Sequence, residues 1–94
     1  MADFIPELIS IIEDRKRYPK PGSYTNTLLA DPARAAQKVG EEAVEVVVAA
    51  LAQSNEQLVA EIADLVYHSL VLLAAHDLSW GEVQAELEKR HKPG

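Results

Sequence analysis

Apolar residues recur along this chain at spacings of three and four, the pattern of helices that bury one face. The first such helix is predicted from a cap at Asp3 to about Arg17, where a charged run ends it. Residues 18–26 carry two prolines and a glycine and predict a loop. Residues 24–29, which overlap its end, are compatible with a single turn of helix.

Three further helices are predicted, each with a recognisable start. Asp31 followed by Pro32 is typical of a cap and first helical residue, and this helix should reach about Gln53. Capping-box patterns at 54–57 and 79–82 begin the other two, which should end near residues 76 and 90. The prediction is one all-α domain over residues 1–94, a bundle of four helices of which two are long.

Five carboxylates form two short patterns within the two long helices. The first pattern reads E-E-x-x-E and the second E-x-x-D, with fifteen residues between them. Spacings of three and four place side chains on one face of a helix. Close acids repel one another, and a divalent cation such as Mg²⁺, which takes oxygen ligands, would neutralise them. The acids are Glu41, Glu42, Glu45, Glu61 and Asp64.

The second predicted helix places Arg34 and Lys38 on the same stripe as its three acids, within an arc of about 100°. Beyond Glu45 this helix becomes apolar on nearly all sides. A chain of this length has too few helices to surround it, so residues 44–51 predict burial against a second subunit and hence a dimer.

The third predicted helix is similar, because Glu61, Asp64 and His68 share a stripe of about 60° on an otherwise apolar helix. If the two stripes face each other, four or five carboxylates converge and require a cation. A solvated charged face is the alternative for each stripe alone. His68 is more often a packed residue than a catalytic one.

Composition narrows the class of protein. The 94 residues are 48% hydrophobic, contain no cysteine and carry a net charge of −6, most of it from the five acids. A basic nucleic-acid-binding face is therefore disfavoured. No uninterrupted apolar run reaches the roughly 18 residues of a membrane span, and residues 1–10 lack the pattern of a signal peptide.

Three segments together resemble a known enzyme family: Gly22-Ser-Tyr-Thr25, Gln37-Lys-Val-Gly-Glu-Glu-Ala-Val-Glu45 and Glu61-Ile-Ala-Asp-Leu-Val-Tyr-His68. The acidic spacing is similar to that of the MazG-like all-α nucleoside triphosphate pyrophosphohydrolases. Within that superfamily, the loop and the string around the first acids resemble the phosphoribosyl-ATP pyrophosphohydrolases.

The resemblance implies a MazG-like bundle completed by dimerisation, a cytoplasmic location and Mg²⁺-dependent hydrolysis of phosphoribosyl-ATP to phosphoribosyl-AMP and pyrophosphate, the second step of histidine biosynthesis. It implies a small nucleotide as substrate, with neither nucleic acid nor membrane as partner. All five acids are then catalytic. The expected metal ligands are Glu42, Glu45, Glu61 and Asp64, Glu41 is a further ligand or a base, and the expected substrate contacts are Ser23, Tyr24, Thr25, Arg34 and Lys38.

Two other interpretations remain open at this point. One is a pyrophosphohydrolase of the same superfamily that removes non-standard nucleotides. The other is a non-catalytic helical dimerisation module with acidic faces. Pyrophosphate release from phosphoribosyl-ATP, compared with ordinary nucleotides, distinguishes all three.

Overall fold

The computed structural model describes residues 3–92 and contains five helices in that range, with no strand. They are α1 (Ile5–Arg17), α2 (Tyr24–Leu29), α3 (Pro32–Ala52), α4 (Asn55–Ala75) and α5 (Trp80–His91). The all-α prediction is confirmed, and the four predicted helices end within about one residue of the observed positions. The fifth helix, α2, occupies residues 24–29, for which the sequence is compatible with a single turn of helix. Its six residues are too few to show helical periodicity in sequence.

Side-chain caps fix most of the helix starts. The Asp31 side chain accepts a hydrogen bond from the backbone N–H of Arg34, and Pro32 opens α3. At α5, Ser79 and Glu82 form the predicted reciprocal capping box. The first helix differs from prediction, because Phe4 rather than Asp3 occupies its cap position. The Asp3 carboxylate still accepts a hydrogen bond from the N–H of Ile5, at 3.0 Å.

The two long helices pack against each other, and α1 and α2 lie on α4. The connection between α3 and α4 is only two residues long, which makes the helices antiparallel neighbours. The core is built mainly where α1, α2 and α4 meet, and Leu28 and Val71 are its largest fully buried side chains. α5 reaches this core through Trp80, at its first residue.

One side of the α3–α4 pair remains apolar and open to solvent. This exposed apolar face consists of Val44, Val47, Val48, Leu51, Val59 and Ile62, and Leu51 is 83% exposed. The chain exposes 6667 Å², which is about 1,300 Å² more than expected for a 10.3 kDa monomer. Its radius of gyration is 14.7 Å, against about 12.4 Å for a compact 94-residue domain.

Helix α4 is also unusually apolar for its length. An 18-residue window within Asn55–Ala75 has a mean hydropathy of 1.7, so by length and composition alone α4 could cross a membrane. The core helix of a soluble protein meets the same criterion. Only 28% of that window is buried within this subunit. However, α4 carries Glu61 and Asp64 and packs against three other helices, as a helix within a bundle does.

Candidate active site

A cluster of three carboxylates forms where α3 faces the first half of α4. One side-chain oxygen from each of Glu42, Glu61 and Asp64 lies within 4.8 Å of the other two. Glu61 and Asp64 are neighbours on one face of α4 because they are three positions apart in sequence, and the packing of α3 brings Glu42 opposite. Glu42 and Glu61 are partly buried, whereas Asp64 is exposed. The cluster therefore opens to solvent on the Asp64 side.

The cluster fits a divalent cation in both chemistry and size. All its donors are carboxylate oxygens, which hard cations prefer. With metal–oxygen bonds of about 2.1 Å, ligands of one Mg²⁺ ion lie about 3.0 to 4.2 Å apart. The upper limit of 4.8 Å in the cluster is only slightly wider. Small side-chain rotations are therefore enough to close these three residues around one ion.

The other two predicted acids lie outside this three-residue group. Glu41 is exposed and accepts a hydrogen bond from Gln37 Nε2 at 2.8 Å. That bond, together with the charges of Lys38 and Arg34, lowers the pKa of Glu41, so its carboxylate stays ionised at neutral pH. Glu45 is also exposed, one turn after Glu42 on α3. The structure thus brings three of the five predicted acids together.

Lys38 links the acidic stripe of α3 to the loop before it. Its Nζ lies 3.4 Å from Glu41 and 3.5 Å from Glu42, and its side chain is only 20% exposed. Partial desolvation disfavours the ammonium form. The electrostatic effects of the neighbouring Tyr24, Glu41 and Glu42 are together larger than this desolvation effect, so the pKa of Lys38 is raised. Lys38 is therefore a fixed cation at the edge of the cluster, and Arg34 is exposed one turn before it.

The predicted substrate-binding loop packs onto α4 through two of its three hydroxyls. The Tyr24 hydroxyl lies 3.0 Å from His68 Nε2, and Thr25 shares a hydrogen bond with the Tyr67 hydroxyl. Ser23 has a structural task, because its Oγ accepts the N–H of Asn26 and caps α2. Tyr24 and Thr25 thereby stand beside the helix that carries Glu61 and Asp64.

The buried His68 connects the loop to the carboxylate cluster. Its Nδ1 lies 2.7 Å from the backbone oxygen of Asp64, and the residue is only 5% exposed. A carbonyl oxygen can only accept, so Nδ1 carries the proton and donates. In the neutral ring Nε2 must then accept the Tyr24 hydroxyl. His68 therefore holds the orientation of Tyr24 from a position one helical turn after Asp64.

The predicted site set did not include His68 or Tyr67. A sequence signal existed for His68, which lies on the stripe of Glu61 and Asp64. Tyr67 had no comparable signal. Its ring stacks with Tyr24 at a centroid distance of 6.4 Å, and both contacts depend on α2 lying across α4.

The arrangement combines acids that can hold a cation, an adjacent lysine and several hydroxyls. Cations and hydroxyls bind phosphate and sugar oxygens, and the carboxylate cluster supplies the negative charge that retains a metal. The described residues around the cluster include no cysteine and no serine paired with a histidine. The chemistry that this set of groups favours is attack of water on a phosphate.

Comparisons with known proteins agree with this chemistry. Residues 5–91 match the family model described as phosphoribosyl-ATP pyrophosphohydrolase. The chain is 50% identical over 93 residues to the phosphoribosyl-ATP pyrophosphatase of Metallosphaera sedula, an alignment that covers 98% of this chain and 100% of that protein. It is also 50% identical over 90 residues to the protein of the same name from Caulobacter vibrioides, covering 96% of this chain and 84% of the relative.

Proposed function

Because the chain belongs to the phosphoribosyl-ATP pyrophosphohydrolase family, we propose that it hydrolyses phosphoribosyl-ATP to phosphoribosyl-AMP and pyrophosphate in histidine biosynthesis, in the cytoplasm. Membership makes it a hydrolase of a phosphoric anhydride. The structural observation that carries the proposal is the carboxylate cluster of Glu42, Glu61 and Asp64 beside Lys38. A non-catalytic dimerisation module would have no need to bring three like charges together between two apolar helices.

The proposal includes Mg²⁺, which Glu42, Glu61 and Asp64 would hold, with Glu45, one turn after Glu42 on α3, as a further ligand. When bound, Mg²⁺ supplies charge neutralisation at phosphate oxygens and lowers the pKa of water. The fit of the oxygen cluster to a single small cation supports this assignment.

The remaining residues bind and orient the reacting groups. Lys38 contacts a phosphate oxygen, because it is a partly desolvated cation next to the cluster. Glu41 orients the attacking water. Its lowered pKa keeps the carboxylate ionised, so it can accept a hydrogen bond from water at the exposed edge of the cluster beside Lys38. Tyr24 and Thr25 contact the sugar or phosphate through hydroxyls held by α4, and Ser23 and Arg34 are additional contacts.

The proposed assembly is a homodimer that covers the exposed apolar face. The excess exposed surface of about 1,300 Å² exceeds the roughly 800 Å² that each partner buries in a standard interface. Val47, 55% exposed, lies within this face. Sedimentation at micromolar concentration should give a mass of twice 10.3 kDa, and Val47→Asp should shift the protein toward monomer. A stable wild-type monomer contradicts the dimer.

The decisive experiment measures pyrophosphate release from phosphoribosyl-ATP with Mg²⁺ and with a chelator. We expect release only with metal, and a rate at least about 100-fold lower in Glu61→Gln, because loss of a metal ligand removes transition-state charge stabilisation. Glu13→Gln is the matched control, since it makes the same change on an exposed part of α1 and should leave the rate unchanged.

A panel of ordinary and non-standard nucleoside triphosphates completes this test. Preference for phosphoribosyl-ATP supports the proposed substrate. Faster turnover of another nucleotide would replace it with a different pyrophosphohydrolase activity, and the absence of release from any substrate would contradict catalysis altogether.

A further inference from the structure

A cavity outside the carboxylate cluster lies at the turn between α1 and α2. It has a volume of about 350 Å³ and is bordered by Arg15, Lys20, Gly22, Ser23 and Thr25, among others. Four of the nine lysines and arginines of this acidic chain fall within residues 15–20. The cavity thus combines two cationic side chains with two hydroxyls, the groups that recognise a phosphate.

The frame of this cavity is held by a single side chain. Asn26 Oδ1 accepts the backbone N–H of Lys20 at 2.8 Å, and Asn26 Nδ2 donates to the backbone oxygen of Arg15 at 2.7 Å. The backbone N–H of Ser23 also donates to the oxygen of Lys20. Gly22, between them, has a φ of 81°, which a glycine adopts without strain. Because these hydrogen bonds already hold the backbone, a ligand that binds here does not have to order it. Little binding free energy is therefore lost to conformational entropy.

The charges around the cavity favour an anion. Among the described residues none of the side chains that line it is acidic. The ion pair of Arg15 with Asp14, at 3.2 Å, is largely exposed and contributes little. Lys16, in contrast, is already occupied, because it donates to Asp77 and to the backbone oxygen of Ala74. The cationic groups that face the cavity are therefore available to an incoming phosphate.

The cavity shares a wall with the candidate active site. Thr25, which lines it, is hydrogen-bonded to Tyr67 on α4. Tyr67 follows Asp64 by three residues, which is less than one helical turn. The hydrogen bond between Thr25 and Tyr67 therefore connects a residue that lines the cavity to the helix that carries Glu61 and Asp64.

We propose that this cavity binds the monophosphate of the phosphoribosyl group while the triphosphate lies at the carboxylate cluster. This inference rests on the proposed function. It explains how the enzyme distinguishes phosphoribosyl-ATP from ordinary nucleoside triphosphates, which lack the second phosphorylated sugar. Arg15 and Lys20 are the determinants of that specificity, and the Ser23 and Thr25 hydroxyls complete the contacts.

A competing explanation is that bases at the end of α1 only stabilise its helix dipole. Arg17 allows a matched control, because it carries the same charge in the same helical turn and does not line the cavity. Arg15→Met and Lys20→Met remove charge and keep most of each side-chain stem, which protects packing.

The test is steady-state kinetics on phosphoribosyl-ATP at saturating Mg²⁺. In Arg15→Met/Lys20→Met, KM should rise at least about tenfold, the loss expected for charge-assisted phosphate contacts, with kcat within about threefold of wild type. Arg17→Met should change KM less than about twofold, and Arg15→Lys/Lys20→Arg should retain most of the affinity. A double variant whose KM stays within twofold of wild type overturns the inference and leaves the proposed function intact.

Ribose 5-phosphate provides a probe that does not require turnover. It should bind the wild-type protein, measured by NMR chemical-shift changes at Gly22 and Thr25, and bind the double variant at least about fivefold more weakly. Ribose without phosphate should not bind. If the wild type fails to hydrolyse phosphoribosyl-ATP, the proposed function fails on that result alone. Equal ribose 5-phosphate affinity in the two proteins would overturn the phosphate cavity.

Discussion

The carboxylate cluster should make the metal-free protein less stable than a variant with one charge removed. Glu61 is the most informative position, because its carboxylate lies within 4.8 Å of both Glu42 and Asp64. Two unit charges at 4.8 Å repel by about 0.9 kcal/mol in water and about 3.5 kcal/mol at a dielectric constant of 20. Asp64 is exposed and Lys38 partly compensates Glu42, so the lower value applies.

The substitution Glu61→Gln removes two of these repulsions and keeps an oxygen that can still accept from Gln57 Nε2. After screening by salt, we expect a gain of about 1 kcal/mol in the free energy of unfolding without metal. For a domain of this size that corresponds to a rise of about 4–8 °C in Tm.

Mg²⁺ should reverse the order of stability. When free metal is about 100 times its Kd, the wild type gains about 2.7 kcal/mol, whereas Glu61→Gln should gain little. The assay is thermal unfolding followed by circular dichroism, in a chelator and across a Mg²⁺ titration. Glu13→Gln, on α1, should follow the wild type in both conditions. Two results would refute the assignment of this cluster. One is that Glu61→Gln is no more stable than the wild type in the chelator. The other is that Mg²⁺ stabilises Glu61→Gln as much as the wild type.

Three further predictions concern residues around the cluster. Lys38→Met should lower kcat/KM at least about tenfold with metal binding retained, whereas a helical ion pair alone would change stability by only about 0.3–0.5 kcal/mol and leave turnover near normal. His68→Leu should destabilise the fold by about 1 kcal/mol in urea unfolding, and the loss should shrink in a Tyr24→Phe background, since both changes remove the same hydrogen bond. The hydrogen bond from Lys16 lowers the pKa of Asp77, so its contribution is present above its ordinary pKa of 3.8 and lost as pH falls below it. The stability difference between wild type and Asp77→Asn should therefore be constant near neutral pH and shrink as the pH falls below 3.8. A difference that stays constant down to about pH 3 would argue against the ion pair.

The sequence by itself determined the helices and the faces of the two long ones. Asp31 and Pro32 specify the start of α3 through a local hydrogen bond and a fixed φ, neither of which depends on distant residues. The sharing of one face by Glu61 and Asp64 likewise follows from helix geometry alone. The apolar residues on nearly all sides of α3 between 44 and 51 predicted burial against another surface. In the described subunit Val44, Val47, Val48 and Leu51 remain exposed.

Only the tertiary structure decided which groups meet. Glu42 rather than Glu41 faces α4 because the rotation of α3 depends on packing across its whole length, and the spacing of the acids is compatible with either. The bond between Tyr24 and His68 joins residues 44 apart and exists because α2 packs across α4. A six-residue helix is stable through such packing and not through its own propensity, so the sequence allowed a helical turn at residues 24–29 but did not specify its contacts with α4.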